Sequence, residues 1–200
     1  MRLNLILFFL SFIFFAPLVH AHTFTGMVGF YDGLSHPVLG IDHFLAMVSV
    51  GVVSAQIGGR AIWTIPATFV LMMIVGGTIG MLIEVFFFDF EESAFIVVEY
   101  GIVFSVILLG LAIAIEKKIA TNIIMIFICI FGMCHGLAHG MEMPWAVNPI
   151  LFALGFASGT ATLHLFGVGI GSLAIKTKFS SIVLRIVGFG CALFGFSLLI

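Results

Sequence analysis

His36, Asp42 and His43 stand together in the run HPVLGIDHFLAM, and His135, His139 and Glu142 stand together in CHGLAHGMEMP. Imidazole and carboxylate groups at this density suit first-row divalent cations such as nickel, cobalt and zinc, whereas a copper(I) path would draw on thiolates and thioethers. His135 and His139 are four residues apart and Glu142 is three further on. A helix would therefore hold all three on one face, within about 6 Å per step. His36 and His43 are seven apart and fall on one face of a continuous helix, with Asp42 about 100° away. His164 stands alone, either as a further ligand or as an interhelical hydrogen-bond donor. HxxxH on one helix with further His and Asp nearby would also serve a zinc-activated water.

The elements that must carry these residues are apolar. The 200-residue chain is 62% hydrophobic and 8% charged, and its mean hydropathy is +1.35. That composition belongs to an integral membrane protein, with no room for a separate soluble domain. Polar ligand-type residues inside such spans are costly and mark function. Six apolar segments run over roughly 35–55, 62–87, 94–115, 119–143, 148–175 and 182–200, separated by Gly58-Gly59-Arg60, Asp89-Phe90-Glu91-Glu92, Glu116-Lys117-Lys118, Met143-Pro144-Trp145 and Lys176-Thr177-Lys178. Pro37 and Pro149 are placed as first-turn prolines, and Asn148 as an N-cap. The expected fold is all-α, a bundle of six transmembrane helices.

Before them, Arg2, the short apolar run Leu3 to Phe15, Pro17 and Val19-His20-Ala21 read as a signal peptide, residues 1–21, cleaved after Ala21, with an uncleaved signal anchor as the alternative. The mature domain is then 22–200, starting outside the cytoplasmic membrane with His22, a terminal amine and imidazole that are either a metal chelate or a disordered end. Alternation from there puts Arg60, Lys117, Lys118, Lys176, Lys178 and Arg185 on the cytoplasmic side, as the positive-inside rule requires. The two histidine motifs, with Glu84 and Glu99, then fall toward the outer ends of their helices and His164 lies deeper. The two glutamates are either functional or simply interfacial.

Gly40, Gly51, Gly132, Thr160, Gly167 and Gly171 would let the histidine-bearing backbones approach closely. Cys129, Cys134 and Cys191 imply no disulfide framework, and of these Cys134 alone adjoins a histidine motif. The 10 methionines and 24 phenylalanines read as packing or lipid-facing residues, with Met47, one turn past His43, as the exception.

HPVLGIDHFLAM and CHGLAHGMEMP resemble the two signature motifs of the HupE/UreJ family of nickel permeases. The resemblance continues through GRAIW, VEYGIVFSVILLG and FALGFASGTATLHLFGVGIG, over essentially the whole mature chain. It implies a multi-pass protein of the bacterial inner membrane that supplies nickel, sometimes cobalt, to enzymes such as nickel-iron hydrogenase and urease. It assigns His36, Asp42, His43, His135, His139 and Glu142 to the metal. One departure is Cys134, which stands where an aromatic is usual.

Residues and resemblance together lead to one expectation, a non-enzymatic secondary permease. It would take up Ni2+ or Co2+ as cargo, with no resident cofactor, through His36, Asp42, His43, His135, His139 and Glu142 and then past His164. Its surroundings would be the lipid bilayer, with no nucleic-acid partner, a homo-oligomer left open, and indirect supply of hydrogenase or urease. The chain lacks a phosphate-binding loop ending in Gly-Lys-Ser/Thr, so it does not itself hydrolyse ATP. The rival readings are a membrane-embedded zinc hydrolase and a metal sensor or chaperone. Ligand types alone do not separate nickel from cobalt, or facilitated diffusion from proton coupling.

Overall fold

A computed structural model of the chain describes residues 29–86, 92–115, 119–143 and 147–199. The expected signal peptide and His22 lie outside the described residues, as do Asp89-Phe90-Glu91, Glu116-Lys117-Lys118 and Pro144-Trp145. Among the described residues all regular structure is helical: α1 Phe30–Leu39, α2 Ile41–Ile57, α3 Ala61–Phe86, α4 Glu92–Ile115, α5 Thr121–Met141, α6 Pro149–Ala174 and α7 Lys178–Ser197. Five of these, α3 to α7 (α4 from Ile96), are long and apolar enough to cross a membrane, and α1 with α2 makes a sixth if the bent pair counts as one span.

That bent pair corrects the sequence expectation of a single helix over 35–55. The chain turns by 86° between α1 and α2. Gly40 sits at the break in an extended conformation, φ −87° and ψ 121°, and its carbonyl accepts from the Phe44 N–H at 2.8 Å to start α2. Pro37 is consequently not a first-turn proline but lies well inside α1. The other boundaries follow local chemistry more directly. Gly58 and Gly59 adopt φ +78° and +59°, the left-handed region where glycine costs least, and they close α2. Asn148 caps α6 by accepting from the Ile150 and Leu151 N–H groups at 3.0 and 3.1 Å, with Pro149 next to it. Thr177 caps α7 by accepting from the Ser180 N–H at 3.1 Å, which starts that helix at Lys178 rather than near 182.

The helices are paired by glycine. A Cβ on Gly136 of α5 would overlap the Met73 carbonyl oxygen of α3, and one on Gly167 of α6 would overlap the Val48 carbonyl oxygen of α2. In lipid there is little hydrophobic drive between helices, so such close backbone contact supplies much of the association. The contacts also fix direction. Phe69, Met73 and Gly77 meet Gly132, Gly136 and Gly140 in ascending order, so α3 and α5 run parallel. Val48 and Val52 meet Gly167 and Gly171, so α2 and α6 run parallel as well, whereas Ile107 and Ile113 meet Gly195 and Gly188, which makes α4 and α7 antiparallel. These directions fit helices that alternate along the chain when the bent pair is counted together.

Two side chains tie the C-terminal end of α4 to its neighbours. Gln56 Nε2 of α2 donates to the Ile113 carbonyl at 3.3 Å, and Arg185 Nε of α7 donates to the Ala114 carbonyl at 2.8 Å. These carbonyls belong to the last turn, which has no acceptor-filling N–H of its own. The Arg60, Lys176, Lys178 and Arg185 neighbourhoods thus gather at one end of the bundle. His36 and His43, at the junction of α1 and α2, and His139, in the last turn of α5, gather at the other.

At the centre, Met47, Val50, Ile65, Phe69, Met73 and Ile128 are fully or almost fully buried. Trp63, Val97, Ile126, Ile150 and Ile186 are among the large apolar side chains left exposed on α3, α4, α5, α6 and α7 in turn. A lipid-facing surface needs that inversion. Two buried hydroxyls are satisfied within their own helices, Ser54 donating to the Gly51 carbonyl at 2.7 Å and Ser105 to the Ile102 carbonyl at 2.6 Å.

Candidate metal site

The break at Gly40 builds the site. Seven residues of unbroken helix would separate His36 from His43 by a rise of about 10.5 Å. With the bend, their ring centroids are 6.2 Å apart, and both rings face α5. His36 Nε2 lies 2.9 Å from His139 Nδ1, one nitrogen donating and the other accepting. Glu142, which caps α5 at φ −94°, ψ 0°, is just outside the helix, yet its Oε2 still comes within 3.9 Å of His139 Nδ1. One ligand atom from each of His36, His139 and Glu142 can be chosen so that all lie within 4.8 Å of one another.

A second group adjoins this one. The His43 ring centroid is 4.6 Å from that of His139 and 5.4 Å from that of His135. His43 Nδ1 is 2.8 Å from Asp42 Oδ1, which also accepts the His43 backbone N–H at 2.9 Å. His135 Nδ1 is 2.8 Å from the Phe131 carbonyl. A carboxylate and a carbonyl only accept, so both Nδ1 atoms donate, and each neutral ring carries its lone pair on Nε2. Both Nε2 atoms are buried without a hydrogen-bond partner among the described residues. A histidine whose Nδ1–H is held by a carboxylate or carbonyl, with Nε2 available, is the arrangement commonly found behind bound metals.

The structure thus brings together six of the seven sequence-assigned residues, His36, Asp42, His43, His135, His139 and Glu142. Asp42 differs in placement, since its Oδ1 is engaged by the His43 backbone and ring. His164 is set apart. It is fully buried in α6, at the level of Gly51 and about 12 Å along α2 from His43. Among the described residues its ring nitrogens have no close hydrogen-bond partner, only a looser approach to the Pro66 carbonyl. Between it and the cluster stands the Phe69 ring, edge-on at 5.2 Å to both His135 and His164.

Phe69 was invisible to sequence reasoning, as were Phe152 and Phe156, whose rings wall His36 at 6.0 and 5.8 Å. Three aromatics of this kind cannot be picked from 24 phenylalanines by spacing. Glu99 of α4 is half-buried and, with Glu142, lies close enough for its charge to act on His43, so it belongs to the surroundings of the site. Cys134 turns the other way, its Sγ packing on Gly101 of α4. Met47 is buried in the apolar core with Phe69 and Met73.

Comparison with known proteins decides the family. The family model described as HupE / UreJ protein matches residues 10–198. The chain belongs to the HupE/UreJ family. A curated relative, Protein HupE of Rhizobium leguminosarum bv. viciae, is 37% identical over 183 residues, covering 92% of this chain and 91% of the relative. No solved structure matches. HupE/UreJ proteins are hydrogenase and urease accessory transporters for nickel or cobalt, which agrees with a permease rather than an enzyme. Both of the histidine motifs and the whole described bundle lie within the matched range.

Proposed function

We propose that the protein is a secondary permease that carries Ni2+, or Co2+, from the periplasm to the cytoplasm. The observation that carries this reading is the contact between motifs: His36 of the first lies 2.9 Å from His139 of the second, in a family of metal transporters. Buried neutral imidazoles with a carboxylate beside them are ligands for a borderline divalent ion, and they are costly to retain in an apolar bundle without one. The metal ligands are His36, His43, His135, His139 and Glu142, with Asp42 behind His43 and His164 deeper on the path.

The bent pair counts as the first of six spans. The end holding Arg60, Lys176, Lys178 and Arg185 faces the cytoplasm by the positive-inside rule, which leaves the histidine end to the periplasm. Residues 1–21 are a signal peptide removed after Ala21, in a protein of the bacterial inner membrane. The delivered metal serves a hydrogenase or urease. The ion sheds water in steps as it moves from the half-buried ring of His36 toward the fully buried rings of His135 and His164. Each stop must bind weakly enough to release it.

Radiolabelled Ni2+ uptake in a transport-deficient bacterial host tests the reading. His43→Ala is expected to reduce uptake to the host background. Asp42→Ala, which leaves the His43 ring unheld, is expected to lower it by about 10–100-fold, the usual cost of losing the group that orients a metal-bound histidine. Wild-type uptake by both variants, at equal membrane levels, would show that this cluster is not on the path.

A further inference from the structure

Resting on the permease reading, we infer that the histidine cluster is two metal stations in series, and that the inner one, made of His43 Nε2 and His135 Nε2, selects the metal. The outer station is His36, His139 and Glu142, whose ligand atoms lie within 4.8 Å of one another. It includes a carboxylate, so hard cations that prefer oxygen have a ligand there. At the inner station the adjoining carboxylate, Asp42, is held on the Nδ1 side of the His43 ring and not at Nε2. Asp42 Oδ1 is taken up by the backbone and ring N–H groups of His43 at 2.9 and 2.8 Å, so Asp42 is a positioning residue.

What remains at the inner station is a pair of lone pairs. His43 is 3% exposed and His135 0%, and each Nε2 is without a hydrogen-bond partner among the described residues. Because the Nδ1 atoms donate to Asp42 and the Phe131 carbonyl, neither neutral ring can switch to the tautomer with its N–H on Nε2 without breaking a buried bond. The rings stand 5.4 Å apart, crossed at 84°. A buried site whose ligand atoms are imidazole nitrogens favours nickel, cobalt, copper(II) and zinc over magnesium, calcium and manganese. His139 links the stations, since its Nδ1 faces His36 and Glu142 while its ring stacks at 4.6 Å, tilted by 49°, against His43.

The test is equilibrium dialysis of the purified full-length protein in lipid nanodiscs against Ni2+ alone and against Ni2+ with a large excess of Mg2+. The inference expects two Ni2+ per chain without Mg2+ and one with it, because Mg2+ competes only at the outer station. His36→Gln should abolish the Mg2+-sensitive ion alone and His135→Gln the Mg2+-resistant ion alone. Wild type needs no variant to decide the matter. A single Ni2+ per chain, or two that Mg2+ displaces equally or not at all, would overturn the two-station arrangement. Such a result would leave the permease reading standing if wild-type cells still accumulate Ni2+, whereas absence of uptake with two ions bound would sink the permease reading and keep the stations.

Discussion

His139→Ala is expected to bring Ni2+ uptake down to the background of a transport-deficient host. His139 is where the two motifs meet: Nδ1 lies 2.9 Å from His36 Nε2 and 3.9 Å from Glu142 Oε2, and the ring centroid is 4.6 Å from that of His43. It is also held in place by Phe156, whose ring stands 4.6 Å away at 72°. Removing it takes a ligand from the outer group and separates that group from the inner one. His36→Ala and Glu142→Gln each take one ligand from the mouth while leaving His43 and His135 in place. They are expected to raise the Ni2+ concentration needed for half-maximal uptake and to retain transport at saturating metal. Initial rates over a range of external Ni2+ distinguish the two patterns, with membrane levels measured alongside. Should His139→Ala behave like His36→Ala, His139 would be one mouth ligand among several and not the link.

Gly136→Val is expected to destroy the folded bundle. A Cβ there would overlap the Met73 carbonyl oxygen and lie 2.7 Å from the Gly77 nitrogen, both backbone atoms. Neither can rotate aside as a side chain would, so α3 and α5 must move apart. The cost is expected to reach about 3 kcal/mol or more, the upper range for overpacking, and His135 and His139 ride on the displaced helix. Gly169→Ala and Gly190→Ala are the controls, because a Cβ at either meets nothing within 4 Å. Alanine in a helix is favoured over glycine by about 1 kcal/mol, so both controls should keep or raise the melting temperature. Thermal melting of detergent-solubilised protein, followed by gel filtration, measures this. A Gly136→Val protein with wild-type melting would mean that the α3–α5 contact is looser than described.

Most of the frame was legible in the sequence because the bilayer makes spans long and uniformly apolar. Gly58-Gly59 and Asn148-Pro149 mark their boundaries by backbone requirements that act within a few residues. Spacing also carried the local part of the site, since His135, His139 and Glu142 share one helix or its cap. The Gly40 break was missed because periodicity alone continues smoothly from His36 to His43. Its signal was present in Pro37 and Gly40 within one turn, followed by Asp42 in the first turn of a new helix, where an acidic residue suits the dipole. The placement of Asp42 behind His43 depends on that break and on a side-chain bond to its neighbour, which ligand type alone does not reveal. Phe69 reaches the site only because α3 lies against α5, a tertiary fact with no local signature. The glycines of α2, α5 and α6, Gly51, Gly132, Gly167 and Gly171, did announce close approach. Which helices they would join follows only from their matched registers.

The central claim is that this histidine cluster conducts a metal across the membrane and does not merely hold it. Its most direct test is the purified protein reconstituted in vesicles that enclose a dye quenched by Ni2+, with Ni2+ added outside. The account predicts saturable quenching by wild type and none by His43→Ala above protein-free vesicles. Ni2+ bound to wild-type vesicles without quenching of the enclosed dye would contradict it, leaving a metal-binding protein of the membrane and no permease.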